Sequence, residues 1–172
     1  MTRTIVTMAA AALVAGCGGE QAAQPKAEKA GSLQAGEYEI SQTVADVSST
    51  DNTTPATKLK AGAPVEGPAR RICVGEDGRI DSNAFAEGND ECGTESSYSR
   101  AGKLSMQLRC VRPGNEGPVM QTVDGNFTAD SFEAQAVTTT YFIGTGDYRM
   151  TRQVTGRRVG DCPADASPGN AG

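Results

Sequence analysis

The sequence has no histidine and no tryptophan, and aromatic residues make up only 5% of it. Histidine is the commonest general base and the commonest metal ligand. Its absence excludes Ser-His-Asp triads, Cys-His dyads and two-histidine zinc motifs. Positive charge is also in deficit, with 16 Lys and Arg against 21 Asp and Glu and a net charge of −5. Such a surface does not invite nucleic acid or anionic lipid headgroups. Nor is there an apolar run long enough to be read as a membrane span. The stretch from Ile5 to Val14 falls short of the roughly 20 residues that a helix needs to cross a bilayer.

That short stretch follows Arg3 and ends in Leu13-Val14-Ala15-Gly16-Cys17. A basic start, a brief apolar segment and small residues at the cut make a secretory signal. The last five residues resemble the lipobox of a bacterial lipoprotein. The resemblance implies cleavage after Gly16 and acylation of Cys17, with partnership to the membrane through the acyl chains. Two or more chains give stable anchoring where one is marginal. Gly18, rather than Asp, follows the cysteine, which by resemblance favours the outer membrane over the inner and a periplasm-facing domain. The chain then divides into a signal peptide (1–16), an acylated Cys17 and flexible tether (17–35), a folded domain (36–162) and a disordered tail (163–172).

From Gly36 the pattern turns to period two, with Tyr38, Ile40 and Val44 on one face. Residues 51–68 collect Thr, Pro, Gly and Lys and read as a loop. A short strand is expected at Arg71–Val74, and one helical turn around Ala84–Glu87 in the poorly patterned stretch 75–90. Strands then follow at Ser96–Arg100, Lys103–Val111, Val119–Thr128, Phe132–Ile143 and Tyr148–Val159, joined by Gly- and Asp-containing turns. The expected fold is all-β: an antiparallel meander of six to seven strands, curled into a half-barrel or small barrel to protect its edges, with at most one short helix.

Besides Cys17 there are Cys73, Cys92, Cys110 and Cys162. In an exported chain an even number of cysteines implies disulfides. Zinc would want C-x-x-C pairs, which are lacking. Cys92 and Cys110 stand almost equally far either side of the Ala101-Gly102 turn, so antiparallel pairing predicts Cys92–Cys110 and, by remainder, Cys73–Cys162. The first closes a short loop, contributing roughly 3 kcal/mol, and the second a long one, contributing somewhat over 4 kcal/mol.

Gly36-Glu37-Tyr38-Glu39, Cys73-Val74-Gly75-Glu76, Cys92, the run Gly102 to Cys110, Gly125-Asn126-Phe127-Thr128 with Ser131-Phe132, and the closing Gly156-Arg157-Arg158-Val159-Gly160-Asp161-Cys162 form a set. Together they resemble the bacterial domain-of-unknown-function family 3617, whose members are small exported proteins, often lipid-anchored. The resemblance covers Gly36 to Cys162 and implies boundaries and bridges, with no catalytic or binding residues to carry over. Tyr38 stands where that family commonly has Trp.

Candidate sites are few. Glu76-Asp77-Gly78-Arg79-Ile80-Asp81 fails as a calcium loop because Cys73, Gly75 and Ala84 would occupy ligand positions. Gly144-Thr145-Gly146 lies between strands and reads as a turn, not a phosphate cradle. Glu37 with Glu39, and Asp90 with Glu91, read as solvated charge. No metal or cofactor is expected. The inner face carries Gln42, Gln121, Thr138, Thr140 and Arg152 among its apolar residues. Arg152 is expected near the sheet end, with its head snorkelling to water. The alternative is a partly polar ligand pocket lined by Tyr38, Met106, Phe132, Tyr148 and Arg152. The leading expectation is therefore a non-catalytic binding or structural module of the envelope, with an envelope protein as partner. The second is a carrier of a small apolar or amphipathic ligand, and the third an unrecognised enzyme.

Overall fold

Period-two alternation sets the architecture. In the computed structural model, which describes residues 31–65 and 70–164, seven strands form one antiparallel sheet: β1 (Gly36–Ser49), β2 (Arg70–Val74), β3 (Glu91–Arg100), β4 (Lys103–Val111), β5 (Val119–Phe127), β6 (Ser131–Thr140) and β7 (Tyr148–Gly160). The leader, Cys17, most of the tether and most of the tail lie outside the described residues. The strand order is β2-β1-β7-β6-β5-β4-β3, and the sheet curls into a half-barrel. The expected meander runs from β3 to β7. The β1–β2 pair is added alongside β7, so the two edges are β2 and β3. The helical turn is one 3-10 turn at Ser82–Phe85, slightly earlier than expected.

The sheet has two poles. At the near pole lie the start of β1, the end of β7 and the end of β2, since Gly36 pairs with Val74 and Glu37 with Gly160. At the far pole Ser49 pairs with Tyr148 and Glu91 with Val111. Residues 75–90 therefore run from the near pole of one edge to the far pole of the other, across the mouth of the half-barrel. We call this segment the strap. Its Ala84, Phe85 and Ala86 join the inward-facing Tyr38, Ile40, Val44, Met106, Leu108, Val123, Phe132, Met150 and Val154 in a single core.

Two one-residue details tune the packing. The β3–β4 register starts at Arg100↔Lys103, which if continued would set Cys92 opposite Val111. A bulge between Thr94 and Ser96 shifts it by one, and Cys92 faces Cys110. On β7, Gly156 faces Phe132, whose ring lies where a Cβ on residue 156 would project. The ring covers the glycine and reaches Phe85 of the strap, with ring centroids 6.1 Å apart.

Gly156→Ala should therefore push Phe132 toward the strap, costing about 1–3 kcal/mol as an overpacked core. A lowered urea midpoint at unchanged m-value checks this, and faster amide exchange across residues 82–90 would locate the damage.

Candidate functional site

Arg152 is the centre of the inner face and is wholly buried. This corrects the expectation of a snorkelling head. Arg152 pairs with Val44 and Ala136, well inside the sheet, and the route to water is closed by the strap. Its Nη2 donates to the Phe85 carbonyl at 2.6 Å, and its Nη1 to Gln42 Oε1 at 2.6 Å and to the Ala86 carbonyl at 3.4 Å. Gln42 Nε2 in turn donates to the Ala84 carbonyl at 3.1 Å. An irregular segment buried in a core leaves carbonyls without partners, and here two side chains supply them for three consecutive residues. Burial pulls the guanidinium pKa below its ordinary value, opposed by the charge of Glu87.

A second cluster fastens the strap at the far pole. Arg112, just beyond β4, grips Asp90 through two parallel bonds, Nε to Oδ1 and Nη2 to Oδ2, each 2.7 Å. Its Nη2 also reaches Glu87 Oε2 at 2.9 Å, and its Nη1 donates to the Tyr148 hydroxyl at 2.6 Å. Tyr148 donates onward to Glu87 Oε2 at 2.6 Å, and Thr57 donates to Glu87 Oε1 at 2.8 Å. The guanidinium lies 5.6 Å from the Phe142 ring centroid and 5.7 Å from that of Tyr148, within cation–π range. Burial works against the Arg112 charge, but the bonds to Asp90 and the charge of Glu87 outweigh it and raise its pKa. Burial, reinforced by Glu87, also raises the Tyr148 phenol above its ordinary range.

Asp90, read from sequence as solvated, is 6% exposed and spent in this clasp, whereas Glu91 is exposed on β3. Glu37 makes a surface pair with Arg71, and Glu39 lies on the outer face, bordering a shallow recess with Glu133, Thr155 and Arg157. Glu87 and Arg112 were not singled out in the sequence. Neither follows a strand or helix period, and the only local signal is that Arg112 precedes the Pro113 turn.

The five residues of the expected pocket do not surround a shared opening. Tyr38 sits at the near pole, its hydroxyl shared between the carbonyls of Gln34 and Ala129 at 2.9 and 3.1 Å. Tyr148 is at the far pole in the clasp. Phe132 packs on Phe85, Met106 is buried in the core, and the strap backbone occupies the space in front of Arg152. The physical reason is that the stretch without periodicity is itself the filler of the concave face. Among the described residues, Gln121 Oε1 and Arg152 Nε are buried side-chain polar atoms without a partner, while Gln121 Nε2 and Arg152 Nη2 both donate to Thr138 Oγ1, at 2.9 and 3.4 Å.

The Cys92–Cys110 bond is present, with the Cα atoms 4.0 Å apart. Cys73 and Cys162 are free thiols rather than the expected bridge, Cys73 buried and Cys162 partly exposed. Among the described residues no group of three or more His, Cys, Asp or Glu is arranged to hold a metal ion. No helix among them is long and apolar enough to cross a membrane. A protein-family profile described as "Protein of unknown function (DUF3617)" matches residues 33–162, well over half of the chain. No curated protein and no solved structure matches.

Replacing Arg152 by Met keeps much of its volume but removes the donor to the Phe85 carbonyl and to Gln42 Oε1, and one of two donors to the Ala86 carbonyl. We expect a loss of about 3 kcal/mol, in the range for a broken buried charged hydrogen-bond set, read from urea unfolding. Alkaline pH should act at the two buried phenols. Burial pushes Tyr38 up to about 12, despite the nearby Arg158, and raises Tyr148 as well. A raised folded pKa means that the folded state holds a proton that the unfolded chain releases near pH 10. Their contribution is thus intact below about pH 10 and is lost as the pH climbs through about 12. Urea midpoints measured across this window should fall, and less steeply in Tyr38→Phe.

Proposed function

We propose that this chain, which belongs to the DUF3617 family, is a lipid-anchored, non-catalytic interaction module of the bacterial envelope, held by acyl chains on Cys17 and favouring the outer membrane. The observation that carries the non-catalytic part is how the inner polar groups are spent. Gln42, Glu87, Asp90, Arg112, Tyr148 and Arg152 bond the strap or one another across the far-pole clasp. What remains open is the sheet edge. β3 is exposed on both faces from Gly93 to Arg100 and has no strand on its outer side among the described residues. An edge of this kind takes up an extended segment of a partner by main-chain pairing, which suits an envelope-protein partner better than an enclosed ligand.

A second reading, a carrier of a small amphipathic ligand, is favoured by one observation: the unpartnered Gln121 Oε1 and Arg152 Nε beside Thr138. In that reading the strap is displaced and an acidic group takes the place of its carbonyls at Arg152.

Two measurements test these readings. In cells fed an alkyne-labelled fatty acid, the wild-type chain should carry label and sediment with envelope membranes. Cys17→Ala should lose both properties, and label on the Ala variant would defeat the anchor. Native mass spectrometry of the chain recovered from its own envelope fraction should give the mass of the polypeptide and its acyl groups alone. A retained small molecule, lost in Arg152→Met, would transfer support to the carrier.

A further inference from the structure

The free edge of β3 has a form that fits a second β3. Its hairpin with β4 turns through Ala101-Gly102, both at positive φ (51° and 74°), between the paired Arg100 and Lys103. A two-residue turn of this kind makes Arg100–Lys103 a hydrogen-bonded rung. Rungs then alternate, so the main-chain groups of Arg100 and Tyr98 point to β4, while those of Ser97 and Ser99 point off the edge. The side chains divide as well. Ser97 and Ser99 stand opposite Met106 and Leu104 and turn to the concave face. Ser96, Tyr98 and Arg100 stand opposite Gln107, Ser105 and Lys103 and turn to the outer face. Tyr98 is 54% exposed there, a large aromatic side chain on an unpaired edge.

We infer that a second copy of this chain occupies the edge, by antiparallel pairing of Ser96–Arg100 with the same segment about a twofold axis at Tyr98. In that register Ser97 faces the partner's Ser99, and Ser99 faces the partner's Ser97. These are the residues whose N–H and C=O groups point off the edge, and each rung exchanges both of its hydrogen bonds. The two Tyr98 side chains face each other at a non-hydrogen-bonded position, where the Cα atoms approach to about 4.5 Å and an aromatic pair is most favourable. Arg100 faces the partner's Ser96, next to the partner's Glu95. The contact is isologous, with the same patch used on both copies, and it closes after two.

Charge polarity selects this occupant. β3 is acidic toward its start, with Glu91 and Glu95, and basic at its end, with Arg100. Antiparallel self-pairing sets each end against its opposite. Lys103, beside Arg100, donates to Asn126 Oδ1 at 2.7 Å, which leaves Arg100 as the cation turned to the edge. Among the described residues neither Glu95 nor Arg100 has an ion-pair partner. The bulge between Thr94 and Ser96 lies just outside the paired segment, whose own register is unbroken. No side chain from Gly93 to Arg100 is buried, so pairing draws nothing out of the core. The interface is short, which places the association in the weak, transient class. The inference rests on the reading of β3 as the interaction edge.

The test is made in cells that express the full chain in two copies with different epitope tags, one copy having Tyr98 replaced by the photoreactive p-benzoylphenylalanine. Illumination should give an adduct that carries both tags, with the link mapped to the partner's β3. Glu95→Arg or Arg100→Glu, introduced in both copies, sets like charges against each other at both ends of the segment and should lower the yield about fivefold. The double variant Glu95→Arg/Arg100→Glu restores opposite charges across the axis and should return the yield to within about twofold of the starting chain. That recovery also shows that the exposed substitutions leave the fold intact. Equal yields in all four chains overturn the inference, and so does a double variant that stays as low as the single ones. An adduct to a different envelope protein alone overturns the second copy and leaves the interaction edge standing. No adduct at all overturns both.

Discussion

The structure depends on the strap that joins its two free edges. A curled sheet with β2 at one side and β3 at the other has an apolar concave face, and residues 75–90 join the two edges across it. The strap has little regular structure, so its carbonyls cannot pair along a ladder. Burying them without partners would cost more than the apolar contacts of Phe85 return. Arg152 and Gln42 resolve this by donating to three consecutive carbonyls, and Arg112 holds the strap's acidic end at the far pole. A charged side chain in the middle of a core is thereby a covering device. Net stabilisation comes from what it allows to be buried, since taking a charge out of water is costly and its hydrogen bonds to neutral groups only offset that cost.

Stitching at the strap's exit reinforces the arrangement. Asp81 caps the 3-10 turn by accepting from the Asn83 amide at 2.8 Å, and Asn83 Oδ1 accepts from the Cys92 amide at 3.1 Å. Ser82 donates to the Cys92 carbonyl at 2.6 Å. The strap thus enters β3 beside the Cys92–Cys110 bond, which fixes β3 to β4 where the edge begins. The bulge after Thr94 serves both ends of this strand. It brings the cysteines into register, and it also twists the outer rim, a feature that discourages unselective edge pairing.

Much of the fold was legible because a half-buried strand alternates. Leu104, Met106, Leu108 and Cys110 are inward and buried, Lys103, Ser105, Gln107 and Arg109 outward and exposed, as the pattern requires. The pairing of Cys92 with Cys110 was legible from their near-symmetry about the Ala101-Gly102 turn, and the one-residue mismatch in that symmetry is what the bulge absorbs. The clasp was not legible. Glu87, Asp90 and Arg112 lie outside any periodic element, and their charges look solvated until the strap is placed. Arg152 was recognised as inward-facing, but its role was not. What it binds is backbone, which has no signature in side-chain identity.

The placement of both ends of the domain at the near pole has a mechanical consequence. A pull on the N-terminal side alone, with the far pole held, runs along β1 and loads its pairings to β7 and β2 side by side, so that many hydrogen bonds must shear together. A pull between the two ends would instead open β1 from β7 at the Glu37–Gly160 rung and peel the ladder one pair at a time. The same sheet is therefore stiff toward a load from its leading end and soft toward one that parts its termini.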